Sequence, residues 1–324
     1  MKARHLDLSD NPVNAEHQAL GLPPVEVDVV RPGPHPGLRV VLWAVVLLMA
    51  GAALFAANLW LQRHALADAA GALQALLADP VFWSAVAVGL LAQAIDGALG
   101  MAYGITSTSF LLAAGTPPAV ASASVHIAEV FTTGVSGIAH IRLGNVSRQL
   151  FLRLLVPGAA GAAIGAWLVS TVDGALLKPV ISAYLLLMGL YILGKVVRRV
   201  VPRRDEPKHV GKLALAGGFV DAVGGGGWGP VVTTTLVGTG RDPRTTIGSV
   251  NLAEFFLTFI TAGVFTALVP TTPWTTVAGL VVGGVFAAPF AALMTRRLHT
   301  RTLLVLVGSL IVAISAFNLW RALA

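Results

Sequence analysis

Four carboxylates sit inside stretches of the chain that are otherwise apolar: Asp96, Glu129, Asp221 and Glu254. An ionisable side chain is expensive there and marks a functional position by default. They form two matched sets. Glu129 follows His126 by three residues and Glu254 follows Asn251 by three, so each pair shares one face of a helix. That arrangement suits either a proton relay or a structural hydrogen-bond network between helices. Asp96 and Asp221 each open a glycine-rich run, Asp96-Gly-Ala-Leu-Gly-Met-Ala-Tyr-Gly104 and Asp221-Ala-Val-Gly-Gly-Gly-Gly-Trp-Gly229, the second followed by Pro230. Each Asp is placed either to take part in coupling or to accept backbone N–H groups within its own run.

Glycine-rich backbone ends one half-helix, and a proline at a first helical position begins another. The freed N–H groups and the positive end of the following half-helix attract an anion. Around the first run the candidate binding residues are Gly100, Tyr103, Gly104, Thr106, Ser107 and Thr108, with Ser109 beyond. Around the second they are Gly225, Gly226, Gly227, Trp228, Gly229, Thr233 and Thr234, with Thr235 beyond. Hydroxyls add donors without fixed charge, and Tyr103 and Trp228 add a donor each on an aromatic body. No Lys or Arg lies within either broken segment, which favours an anion that must leave as well as bind. The same glycines and hydroxyls would also permit close helix packing.

The elements that hold these residues must lie in a membrane. Of 324 residues 56% are hydrophobic and 11% are charged, more apolar surface than one core of this length could hide. The net charge of +7 comes from short loops rather than from a basic, aromatic-bearing domain, so nucleic acid is not an expected partner. The absence of cysteine removes disulfides and thiolate metal sites, and neither a cofactor nor a metal is expected. Residues 1–38 read as a disordered cytosolic tail rich in proline, and 39–60 as an added N-terminal transmembrane helix.

Basic residues gather at Arg142 to Arg153, Lys195 to Lys212, Arg241 with Arg244, and Arg296 to Arg301. The positive-inside rule places these loops in the cytoplasm. The segment from Leu213 to Gly240 then has basic loops at both ends, so it must enter and leave on one side as a re-entrant hairpin. Val81 to Gly115 has the same form. An offset of 125 residues brings Asp96 onto Asp221, Pro118 onto Pro243, Glu129 onto Glu254 and Gly158 onto Gly283 without a gap. The expected fold is an all-α integral membrane protein with seven transmembrane helices plus two re-entrant broken hairpins, in two inverted repeats over 81–198 and 212–322. Broken helices at corresponding places in inverted repeats are the architecture of secondary transporters.

The broken segments, together with the Ser-Val-His/Asn-x-Ala-Glu stretches at 124–129 and 249–254, resemble the TauE/SafE family of sulfite exporters and related permeases, over about Val81 to Ala322. The resemblance implies a small sulfur oxyanion or organosulfonate such as sulfite as cargo; the location expected is the bacterial inner membrane, with the cytosolic tail placing the N-terminus in the cytoplasm. The partners expected are that anion, the lipid bilayer and protons as a coupling ion. Two rival readings stand beside it: an anion channel on the same scaffold, and an intramembrane aspartyl enzyme built on Asp96 and Asp221.

Overall fold

The computed structural model describes residues 36–63, 69–99, 101–197, 209–238, 243–269, 272–297 and 300–324. Most of the expected tail, the basic stretch 198–208 and Gly100 lie outside the described residues. All regular structure among those described is helical. The first helices are α1 (Pro36–Arg63), α2 (Ala69–Ala78), α3 (Pro80–Leu99) and α4 (Tyr103–Ala113). They are followed by α5 (Pro118–Arg142), α6 (Arg148–Thr171), α7 (Gly174–Val197) and α8 (Val210–Gly224). A π-helical turn (Gly229–Thr233) runs into α9 (Thr234–Gly238), and α10 (Pro243–Leu268), α11 (Trp274–Arg297) and α12 (Thr300–Leu323) complete the chain.

Local sequence sets these boundaries. Pro118 occupies the first turn of α5, and Gly115 and Gly144 take the positive φ values of 90° and 68° that turn the chain before and after it. The Ser147 hydroxyl caps α6 by accepting from the Leu150 N–H. Both expected helix breaks are present: α3 stops before α4, and α8 stops before the π-helical turn.

Five helices are long and apolar enough to cross a bilayer: those over Pro36–Asn58, Arg148–Thr171, Gly174–Gly194, Thr245–Leu268 and Leu304–Leu323. Two of the seven expected crossings do not meet that test alone. In α5 the reason is composition, because Ser122, Ser124, His126 and Glu129 are buried in the bundle rather than turned to lipid. In α11 the described apolar run covers Trp274–Ala287, and the sequence continues apolar from there through Met294. One element was not anticipated: α2 precedes α3 at a bend of 66°, where the sequence suggested only a connection.

The helices pair in a crossed pattern. The first arm of the first broken segment, α3, packs along α11, and the first arm of the second, α8, packs along α6. Added Cβ atoms at Gly279 and Gly283 of α11 would meet backbone of Phe82 and Val86 on α3. At Gly161 of α6 and Gly218 of α8 they would meet backbone of Leu215 and Gly158. Such close backbone approach is how small residues weld helices where lipid offers no hydrophobic drive. Between these pairs α5 crosses α10, and α7 lies against α12. Contacts of Asn251 with Ser136 and of Thr258 with Thr133 show that α5 and α10 run antiparallel.

Candidate functional site

The two broken segments meet back to back. A Cβ on Gly104 would lie 2.6 Å from Gly226 Cα, 2.7 Å from the Gly225 carbonyl oxygen and 2.8 Å from Glu129 Oε1. Gly225, Gly226 and Gly227 have φ of 65°, 141° and 156°, conformations that side chains rarely adopt. The matching place in the first segment is Ala102, at φ 95°, the one non-glycine residue with positive φ among the described residues. The Thr108 hydroxyl donates to the Gly225 carbonyl at 2.6 Å, tying the segments together.

The two aspartates do the same local work. Asp96 Oδ1 accepts from the Tyr103 N–H at 3.4 Å, and Asp221 Oδ1 accepts from the Trp228 N–H at 2.9 Å, each seven residues on. Each therefore closes its own break and satisfies a first-turn donor of the helix that follows. In α4 the first helical bond runs from the Thr106 N–H to the Ala102 oxygen. The amides of Gly104 and Ile105 come before it. On the other side the Val231 N–H bonds the Gly227 oxygen, so the Gly229 amide comes before that one, and Pro230 has none.

These ends face a cavity of about 380 Å³. Its wall includes Asp96, Tyr103, Gly104, Asp221, Gly227 and Gly229 from the broken segments, with Glu129, Asn251 and Glu254 from the crossing helices. Glu129 is buried, and its Oε2 has no hydrogen-bond partner among the described residues. A larger cavity of about 1240 Å³ lies between α1, α2 and the bundle, where Asp79 is the one ionisable residue on an otherwise largely apolar wall.

Other expected binding residues lie behind this wall. Thr106, Ser107 and Thr233 are buried, their hydroxyls unpartnered among the described residues, and the Thr234 hydroxyl lies 3.9 Å from Met101 Sδ. The hydroxyls of Ser109 and Thr235 donate back to carbonyls of their own helices. The aromatic donors are also committed: the Trp228 indole N–H donates to the Val250 oxygen at 3.1 Å, and the Tyr103 hydroxyl donates to the Leu280 oxygen at 3.2 Å.

His126 does not pair with Glu129. Its Nδ1 lies 2.8 Å from the Ser122 carbonyl and its Nε2 lies 3.3 Å from Asp221 Oδ2. A carbonyl only accepts, so Nδ1 carries a hydrogen. A hydrogen bond between Nε2 and the carboxyl then needs one more proton, held on either atom. Asn251, the counterpart of His126, donates instead to the Ser136 hydroxyl at 3.1 Å.

Sequence reasoning passed over a stripe on α5, namely Thr132, Thr133, Ser136 and His140, which continues the cavity wall from Glu129. The signal was there, as polar residues at helical spacing along one face of a span. It also passed over Tyr184 on α7, whose hydroxyl donates to the Gly226 oxygen at 3.0 Å and braces the second break.

A multi-helix bundle with several membrane-spanning helices, and with two helix breaks converging on a small polar cavity, belongs to the class of membrane transporters. The model of the sulfite exporter TauE/SafE family matches residues 85–318, and the chain belongs to that family. It is similar to the probable membrane transporter protein YtnM of Bacillus subtilis (strain 168), with 46% identity over 248 residues, covering 72% of this chain and 82% of that one. No solved structure matches.

Proposed function

We propose that the chain is a secondary transporter of a small sulfur oxyanion or organosulfonate such as sulfite, coupled to protons and seated in the bacterial inner membrane with its N-terminus in the cytoplasm. The observation that carries this reading is the cavity onto which two helix starts converge, with the amides of Gly104, Ile105 and Gly229 ahead of the first helical hydrogen bonds. Such ends attract anions. The cavity volume of about 380 Å³ suits a small ion with some water.

Seven crossings, two re-entrant hairpins and an inverted repeat complete the proposal. It is supported by the antiparallel meeting of α5 with α10, helices that the 125-residue offset brings into register. A two-fold axis between antiparallel helices lies across them and turns one copy upside down. The crossed pairing of α3 with α11 and α8 with α6 follows the same symmetry.

The aspartates argue for a carrier over an aspartyl enzyme, since each is spent on a backbone amide of its own break. Glu129 and Glu254 on the same wall would repel an anion if both were ionised, so a proton on at least one of them accompanies the substrate. The test is uptake into proteoliposomes across sulfite, thiosulfate, sulfoacetate and sulfate, with and without a pH gradient. Saturable uptake of one sulfur anion driven by the gradient is expected. Flux that never saturates would indicate a channel, and no uptake or binding of any of the four would remove the substrate class.

A further inference from the structure

The repeat offers a comparison that no single site can: each position has a counterpart 125 residues away, and the two need not be in the same state. Along α5 and α10 they are not. Ser136, His140 and Asn251 are half-buried on the cavity wall, as is Asp96. Their counterparts Thr261, Phe265 and His126 are fully buried, and Asp221 is only 1% exposed. The Phe265 ring lies against the His126 imidazole with centroids 5.9 Å apart, and His126 in turn holds Asp221. Thr133 and Thr258, in the middle, face each other. The cavity thus runs from the centre toward Arg142 and stops at a plug on the other side.

We infer that the structure is one of two access states, in which His126, Phe265 and Asp221 shut one passage while Ser136, His140, Asn251 and Asp96 line the open one. In the opposite state the roles exchange: the His126–Asp221 contact parts, Thr261 and Phe265 become wetted, and Asn251 closes on Asp96. This rests on the transporter reading above but not on the identity of the cargo. Two packings of one interface that differ by a few contacts are the usual material of such switches. The plug and its counterpart are chemically unequal, since an imidazole stands where the other side has an amide, so the two states need not be equally populated.

The test uses the cysteine-free chain. Single substitutions Ser136→Cys and Thr261→Cys are small changes at paired positions. Each variant, purified full length in nanodiscs with both faces exposed, is treated with a charged, water-soluble thiol reagent without substrate. Ser136→Cys is expected to react fast and Thr261→Cys slowly. Adding His126→Ala should shift the ratio of the two rates toward Thr261→Cys by about tenfold, as loss of one buried hydrogen-bonded contact would produce. If His126→Ala does not fold, His126→Asn, the residue found at the counterpart position, serves instead. Opposite changes at the two cysteines support exchange of access. Parallel changes at both would mean general loosening and would overturn it, as would an unchanged ratio. Sulfoacetate and sulfite binding to the unsubstituted chain is measured separately, so a wrong cargo fails there and leaves the labelling result intact.

Discussion

The hydroxyls of Thr133 and Thr258 lie 3.4 Å apart although the residues are 125 positions apart in the chain, which is the repeat offset itself. In the proposed inverted repeat, a residue that touches its own counterpart sits on the axis relating the copies. Points near an axis move least when the copies rock against each other. Thr133→Cys with Thr258→Cys is therefore expected to form a disulfide on mild oxidation while substrate exchange continues. A protease site placed within 198–208 reports the bond, because the two fragments stay joined until reduced. Complete loss of exchange on oxidation would show that this crossing moves.

Where the two breaks touch, no room exists for a side chain at Gly104. Gly104→Ala would force its methyl against Gly226 Cα and the Gly225 oxygen. Overpacking of that kind costs about 1–3 kcal/mol. Transport should fall sharply while the protein still inserts. Gly263→Ala, at a position with no heavy atom within 4 Å of the added carbon, should behave as the unsubstituted chain. Equal activity of the two variants would place the site elsewhere.

The aspartates should differ in their contribution to stability although they are counterparts. Asp221 accepts the Trp228 amide and holds His126, whereas Asp96 has one longer bond to the Tyr103 amide. Removing one partner of a buried pair costs about 3–5 kcal/mol. Asp221→Ala should therefore lower the melting temperature of the purified protein well below that of Asp96→Ala. The comparison is made by thermal unfolding in one detergent.

Glu129 has a buried oxygen with no partner among the described residues and faces the cavity. An ionised carboxylate there repels the anion and a protonated one does not, so binding should weaken as pH rises. Glu129→Gln resembles the protonated form and should bind with little pH dependence. It should lose pH-driven uptake but retain counterflow, which needs no net proton movement. Glu254→Gln should be milder. Loss of counterflow together with uptake would assign Glu129 to structure or substrate contact.

Much of this was legible because it is written locally. The seven-residue reach from Asp96 to Tyr103 and from Asp221 to Trp228 follows from an Asp ahead of a break, and the offset of 125 is visible in the letters alone. Partners set by packing were not legible. His126 shares a helix face with Glu129 in sequence, yet its ring turns to a carboxylate 95 residues away. Tyr103 and Trp228 carry free donors on paper, and helix carbonyls on α11 and α10 take both. α5 was expected among the seven crossings, and its polar character keeps it below the apolarity of a lipid-facing span for the same reason that it marks the cavity: an inner helix has no need to please lipid. The bend before α3 escaped notice because an alanine-rich decapeptide after a charged stretch looks like a connection.

The glycine seams that join α3 to α11 and α8 to α6 have a consequence for how the two halves relate. Neither half closes its own seam; each lends its first arm to the other, which amounts to a domain swap performed within one polypeptide. Under the proposed repeat and transport cycle, a body that rocks would not be the repeated unit, since an arm would travel with the span of its neighbour. Severed between 198 and 208 and produced as two polypeptides, the halves should come together in the membrane through these seams, and either half produced alone should seek a second copy of itself.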